Sequence, residues 1–164
     1  MAIFITLDNV YQLYSIDPTQ STEGIVVLRQ QNDLNKPYTN HSRLFDGLLL
    51  GFMMQGKMKA QIHFLEYEIE AGDIAVLQPQ LMIDTKSLSD DAEILTIGLS
   101  LDFITTFPIL REFVLNSQIR WHPIIRLTPE NIKLQNELLT IIQNFYHKKI
   151  VLIKLKCYDI LLWL

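Results

Sequence analysis

Apolar and polar positions alternate most legibly over residues 51–79, GFMMQGKMKAQIHFLEYEIEAGDIAVLQP. Met58, Ala60, Ile62 and Phe64 fall on one side of a two-residue period, and Lys57, Lys59, Gln61 and His63 on the other. This is the pattern of a half-buried strand. A reversal near Leu65 and Glu66 restarts it, with Tyr67 and Ile69 inside and Glu66, Glu68 and Glu70 outside. Gly72 and Asp73 then turn the chain into residues 74–77, which are apolar on both faces and should run through a core.

The same reading extends both ways. Ile3, Ile5 and Leu7 recur at every second position, and residues 10–16 carry two tyrosines, which predicts one or two short strands around Asp8 and Asn9. Residues 24–28 are a β-branched run and read as a buried strand. Residues 30–42, QQNDLNKPYTNHS, are polar and turn-rich and read as a surface loop over the mouth of a pocket. Residues 44–54 are strongly apolar and contain Gly47 and Gly51, the kind of glycines that mark a bulge or bend in a strand. Two further strands are predicted over residues 81–86 and 94–99. Seven to nine short strands before residue 100, with no helix between them, favour a sandwich or barrel over a parallel α/β sheet.

After residue 100 the period changes. Phe103, Phe107, Leu110, Phe113 and Val114 recur at helical spacing, with Pro108 starting or breaking a helix. Thr128, Pro129 and Glu130 form a helix start: a hydroxyl N-cap, proline at the first helical position and an acid favoured by the dipole. Leu134, Leu138, Ile141, Ile142 and Phe145 make one stripe. Residues 150–164 are apolar on two faces, Val151, Leu155, Tyr158 and Leu162 on one and Ile150, Ile153, Cys157, Ile160 and Leu161 on the other. A helix with two apolar faces needs two partners, and the second is expected to be another copy of the chain.

Composition narrows the classes. With 164 residues, 49% of them hydrophobic and 20% charged, the chain belongs to the globular class. A net charge of −4 argues against the chain itself gripping a phosphate backbone. The single cysteine, Cys157, cannot make an internal disulfide, which fits a reducing, cytoplasmic compartment. No uncharged stretch reaches the roughly 18 residues a membrane span needs.

Arg43 ahead of an apolar strand, Gly56 before the next, Tyr67-x-Ile69-x-x-Gly72-Asp73, Pro79 and a later strand ending near Ser100 together resemble the cupin barrel. More closely, residues 43–101 resemble the N-terminal effector domain of AraC-type transcriptional regulators, and residues 125–164 resemble the helical region that follows it in that family. The resemblance implies a mainly β fold with C-terminal helices: a cupin-like barrel over residues 1–100, a helix and connector over 101–127, and a helical dimerisation hairpin over 128–164. It further implies ligand sensing without catalysis, homodimers formed through Val151, Leu155, Tyr158, Ile160 and Leu162, and DNA contact only through a domain absent from this chain. The run at Leu162, Trp163 and Leu164 then reads as the cut end of a longer protein.

A metal-dependent cupin enzyme is one rival reading. Such enzymes hold a divalent ion with two histidines one residue apart, a nearby glutamate and a later histidine. Aligned on Gly56, the two histidine positions fall on Ile62 and Phe64, both apolar, so no metal or other cofactor is expected. A purely structural dimerisation module is the other rival. No nucleophile elbow or phosphate-binding glycine loop is present, and Cys157 reads as an inert helical thiol. The candidate site is therefore the barrel interior, lined by Met54, Met58, Ile62, Phe64 and Tyr67, with His41 and Arg43 at its entrance as anchors for an effector such as a sugar or a carboxylate. The competing assignment is that these bulky side chains simply fill the core.

Overall fold

Strand alternation builds two five-stranded sheets that face each other. The first has β1 (Ile3–Ile5), β3 (Arg43–Phe45), β8 (Met82–Leu88), β5 (Lys57–Ile62) and β6 (Leu65–Glu70), in that order. The second has β10 (Ile124–Arg126), β7 (Asp73–Leu77), β4 (Gly47–Gln55), β9 (Glu93–Ser100) and β2 (Ile25–Gln31). Every pairing is antiparallel except β1 with β3. The computed structural model describes residues 3–13, 24–31 and 42–147. The fold is a cupin-like barrel followed by helices: the strand pattern and the change of period at residue 100 predict a barrel or sandwich and then helices, and the resemblance implies its cupin-like form.

The second sheet is covered on both faces, which explains why β4 reads as an unbroken apolar run. Register assigns the faces. Leu48 and Leu99, Leu50 and Ile97, and Phe52 and Leu95 stand opposite one another, with Ile25 and Val27 continuing the row on β2. This face packs against Ile104, Leu139, Phe113, Ile142 and other side chains of the helices. The opposite face carries Leu49, Gly51 and Met53, and it looks toward the first sheet, where Met58, Ala60 and Ile69 join Met53 and Ala75 in one cluster.

The helical part is three short helices, α2 (Leu101–Thr106), α3 (Pro108–Leu115) and α4 (Ser117–Trp121), and then α5 (Pro129–His147). Ser100 caps α2 by accepting from the Phe103 amide at 3.2 Å, and Asn116 caps α4 by accepting from Gln118 at 2.9 Å. Thr128 accepts from the Asn131 amide at 3.4 Å, as its N-cap assignment requires. Between α4 and α5, β10 adds a strand to the edge of the second sheet, within the stretch read from the sequence as a connector.

Two local expectations are corrected. The segment after β1 is a helix, α1 (Leu7–Leu13), because Thr6 and Asn9 form a reciprocal cap: Asn9 Oδ1 accepts from the Thr6 amide and hydroxyl, and Thr6 Oγ1 from the Asn9 amide. Leu7, Val10 and Tyr11 then bury one face of it beside Val26 and Phe45. The β5–β6 reversal lies at His63 and Phe64 rather than Leu65 and Glu66, with His63 at φ 56.

Candidate functional site

Register places most of the expected lining. Met58 and Ile62 are buried on the inner face of β5, and Tyr67 stands opposite Ala60, half-buried against the same cluster. Arg43 opens β3 opposite Ile83 and shares a face with Phe45, two residues on. Phe45 is 6% exposed in the core and Ile83 packs on the inner cluster, so Arg43 belongs to the wall of the barrel itself rather than its entrance alone.

Two lining assignments are wrong. Phe64 is 82% exposed, with its ring stacked on His63 at 5.8 Å. It occupies the turn, where strand alternation no longer holds. Met54 lies on the far face of β4, against the helix-side cluster, and Met53, 2% exposed, takes the inner position. Both faces of β4 are apolar, so hydrophobicity alone could not fix its parity. His41 and the expected dimer residues Val151, Leu155, Tyr158, Ile160 and Leu162 lie outside the described residues.

The structure adds residues that periodicity did not single out. Ala75, Gly51, Thr96 and Leu28 stand in one row across β7, β4, β9 and β2, and Tyr67, Ala60 and Thr85 in one row across β6, β5 and β8. Gly51, Thr96, Leu28, Gln30, Ile94, Arg43, Ile83, Thr85 and Tyr67 all keep partial solvent access although they sit on inward faces. A side chain on the inner wall of a filled core would be sealed. Only cross-strand register, which a single sequence does not display, brings these positions together.

The lining is aliphatic with hydroxyls at Thr85, Thr96 and Tyr67 and one guanidinium at Arg43. Such a surface binds an amphipathic molecule by burying its apolar body and pairing a carboxylate with the planar donor fork of arginine. Among the described residues no three His, Cys, Asp or Glu side chains converge as metal ligands. Of the two positions where metal cupins place histidines, Ile62 is buried and Phe64 lies outside the barrel.

Ion pairs lie on the outer faces. Lys57 Nζ pairs with Glu70 Oε1 at 2.8 Å across the hairpin. That hydrogen bond and the charge behind it lower the Glu70 carboxyl below its ordinary value and raise the Lys57 ammonium above its own. Asp91 is lowered by hydrogen bonds from Ser89 and then Gln55. Arg29 pairs with Glu93 on the neighbouring strand.

Side-chain hydrogen bonds add to the packing that joins the barrel to the helices. The Tyr11 hydroxyl from α1 and the Tyr146 hydroxyl from α5 both donate to the Ile25 carbonyl, at 3.1 and 3.4 Å, on the edge strand β2. Burial pushes the Tyr146 phenol up, the adjacent Tyr11 adds to this, and a hydrogen bond with the Val27 backbone pulls the other way. Gln78, 2% exposed just after β7, donates from Nε2 to the carbonyls of Asn116 at 2.9 Å and Phe113 at 3.3 Å. Phe113 O also accepts from the Asn116 amide and Asn116 O from the Arg120 amide, so the Gln78 amide is a second donor that ties the junction of α3 and α4 to the barrel.

No protein-family model matches the chain, and no curated protein sequence matches it. Among solved structures it is similar to apo ToxT from Vibrio cholerae, at TM-score 0.50 and 15% identity over 74% of this chain and 48% of that one. ToxT with a bound unsaturated fatty acid gives 0.48 and 14% over 73% and 47%. EutQ from Clostridium difficile gives 0.36 and 12% over 48% and 56%. The chain spans about half the length of ToxT, 48%. What it has in common with ToxT, at this identity, is the fold: a cupin-like barrel carrying helices on one sheet.

Proposed function

We propose that this chain is the ligand-sensing and dimerisation part of an AraC-type transcriptional regulator of the cytoplasm, with no catalysis of its own. The observation that carries this reading is the partial solvent access that inward-facing Gly51, Thr96, Thr85 and Tyr67 keep, with Arg43 on the same inner face as Ile83. The fold likeness to ToxT supports it. The effector is a small amphipathic carboxylate, whose anion pairs with Arg43 while its body lies along the partly accessible row of Gly51, Thr96, Thr85 and Tyr67, beside the buried Met53 and Met58. Binding would favour one arrangement of the helices over another, and so bias DNA-binding domains attached to them. Tyr11, Tyr146 and Gln78 are the ties through which barrel and helices feel each other. Two copies pair through residues 150–164, and DNA is contacted by a domain beyond this chain.

A thermal-shift screen tests the sensing role, because a ligand that binds only the folded state raises the melting temperature. Its members are n-alkyl carboxylates, benzoate, palmitoleate (of the unsaturated fatty acid class bound by ToxT) and arabinose. A carboxylate is expected to stabilise the wild-type chain, and Arg43→Leu is expected to weaken it about tenfold or more, as loss of a charge-assisted pair does. No shift with any member would refute the sensing role. Stabilisation by arabinose alone would refute the carboxylate assignment.

A further inference from the structure

We infer that Gly51 is the specificity-determining residue of the barrel: it holds open the chamber that receives the ligand's apolar body and sets the bulk that body can have. This rests on the barrel being a ligand site.

A Cβ added at Gly24, Gly47, Gly56, Gly72 or Gly98 would come under 3.0 Å from another atom. Among the described residues it would meet only Ala75 at Gly51, with the Cβ at 3.7 Å and the carbonyl oxygen at 3.9 Å, which is ordinary contact. Gly51 is also absent from the positive-φ residues, so neither its backbone nor its neighbours require glycine. A central strand is a poor place for a residue with no side chain to pack. Yet Gly51 lies on β4, between β7 and β9.

Its surroundings repeat the pattern. Ala75 and Thr96 flank it across the sheet, and Ala60 of the facing sheet, beside Thr85 and Tyr67, belongs to the same packed cluster as Ala75. The rows to either side are bulkier, with Met53 and Ile94 on one and Leu49 and Leu77 on the other. Small residues in a tapering barrel can be there to let the walls touch. At Gly51 an added Cβ would meet no atom of the facing sheet within 4 Å among the described residues, so close approach of the walls is not what keeps this position small. Arg43, opposite Ile83, lies one inward position along from Thr85, so a carboxylate held there directs an alkyl chain along the small-residue row.

The experiment uses the 164-residue chain, its Gly51→Val and Gly51→Ala variants, and the n-alkyl carboxylates from butanoate to dodecanoate, read by thermal shift and calorimetry. Without ligand, both variants are expected to melt at or above the wild type. With ligand, Gly51→Val is expected to keep the short acids and lose the long ones that the wild type accepts, with Gly51→Ala between them. Identical chain-length profiles in wild type and variants overturn the role of Gly51 while leaving the barrel as the binding site. Unliganded variants that melt well below the wild type, or fail to fold, show that the space was already filled and also overturn it. A wild-type chain that binds none of the acids overturns the carboxylate reading of the barrel and this inference with it.

Discussion

Gln78 shows how much one buried side chain can organise. It is 2% exposed and donates to two carbonyls at the helix boundary, so Gln78→Leu would strip a second donor from each and leave Phe113 O with the Asn116 amide and Asn116 O with the Arg120 amide. The expected loss is about 0.5–1.5 kcal/mol, read from urea unfolding. Gly56 is fixed for a different reason. At φ 76, with Ala92 atoms at 2.8 and 2.9 Å from any added Cβ, Gly56→Ala combines left-handed strain with a clash against backbone and is expected to destabilise by ~2–5 kcal/mol. Tyr146 supplies a pH test. Burial raises its phenol above the ordinary 10.0, so the proton is held more tightly folded than unfolded. Its contribution is complete below pH 10.0, and it is lost as pH rises through the higher folded value. Tyr146→Phe is expected to remove the latest phenolate absorbance step and to lessen the alkaline loss of stability. An unchanged absorbance titration would show that Tyr146 does not report this buried contact.

At the scale of elements, α5 separates pattern from packing. The stripe read from periodicity contains Leu134 and Ile141, yet these are 54% and 42% exposed, while Leu139 at 3% and Ile142 meet the sheet. The helix has apolar residues around more than half its circumference, so no period selects the face that packs. Leu139→Ala should therefore cost about 2–5 kcal/mol and Leu134→Ala within ~0.5 kcal/mol, in the same denaturation assay. The β5–β6 hairpin was legible because one face is wet: Lys57, Lys59, Glu66, Glu68 and Glu70 mark it against Met58, Ala60, Ile62 and Ile69. β4 was not, since its neighbours cover both faces, and Met54 was assigned to the wrong one. Helix α1 was missed because alternation at Ile3, Ile5 and Leu7 continues into a segment whose cap depends on just Thr6 and Asn9.

For the whole molecule, the sequence shows a barrel followed by helices because the hydrophobic period changes from two to 3.6 near residue 100. The candidate site was legible only in part. Met58, Ile62 and Tyr67 announce themselves by alternation, whereas the row of Ala75, Gly51 and Thr96 exists only once three strands are in register. Among the described residues no helix is long and apolar enough to cross a membrane. The dimer proposed through residues 150–164 predicts that Leu155→Glu or Ile160→Glu sediments as a monomer, and two dimeric mutants would move the interface elsewhere.

The central claim, that a ligand enters the barrel, is tested most directly by methyl NMR of the methionines during titration with octanoate. Met53 and Met58 lie on the inner walls, Met54 faces the helices, and Met82 pairs with Leu44 on the outer side of its sheet. The account predicts saturable shifts at Met53 and Met58, with Met54 and Met82 little changed. Saturable shifts at Met54 or Met82 that leave Met53 and Met58 in place would put the ligand outside the barrel and contradict it.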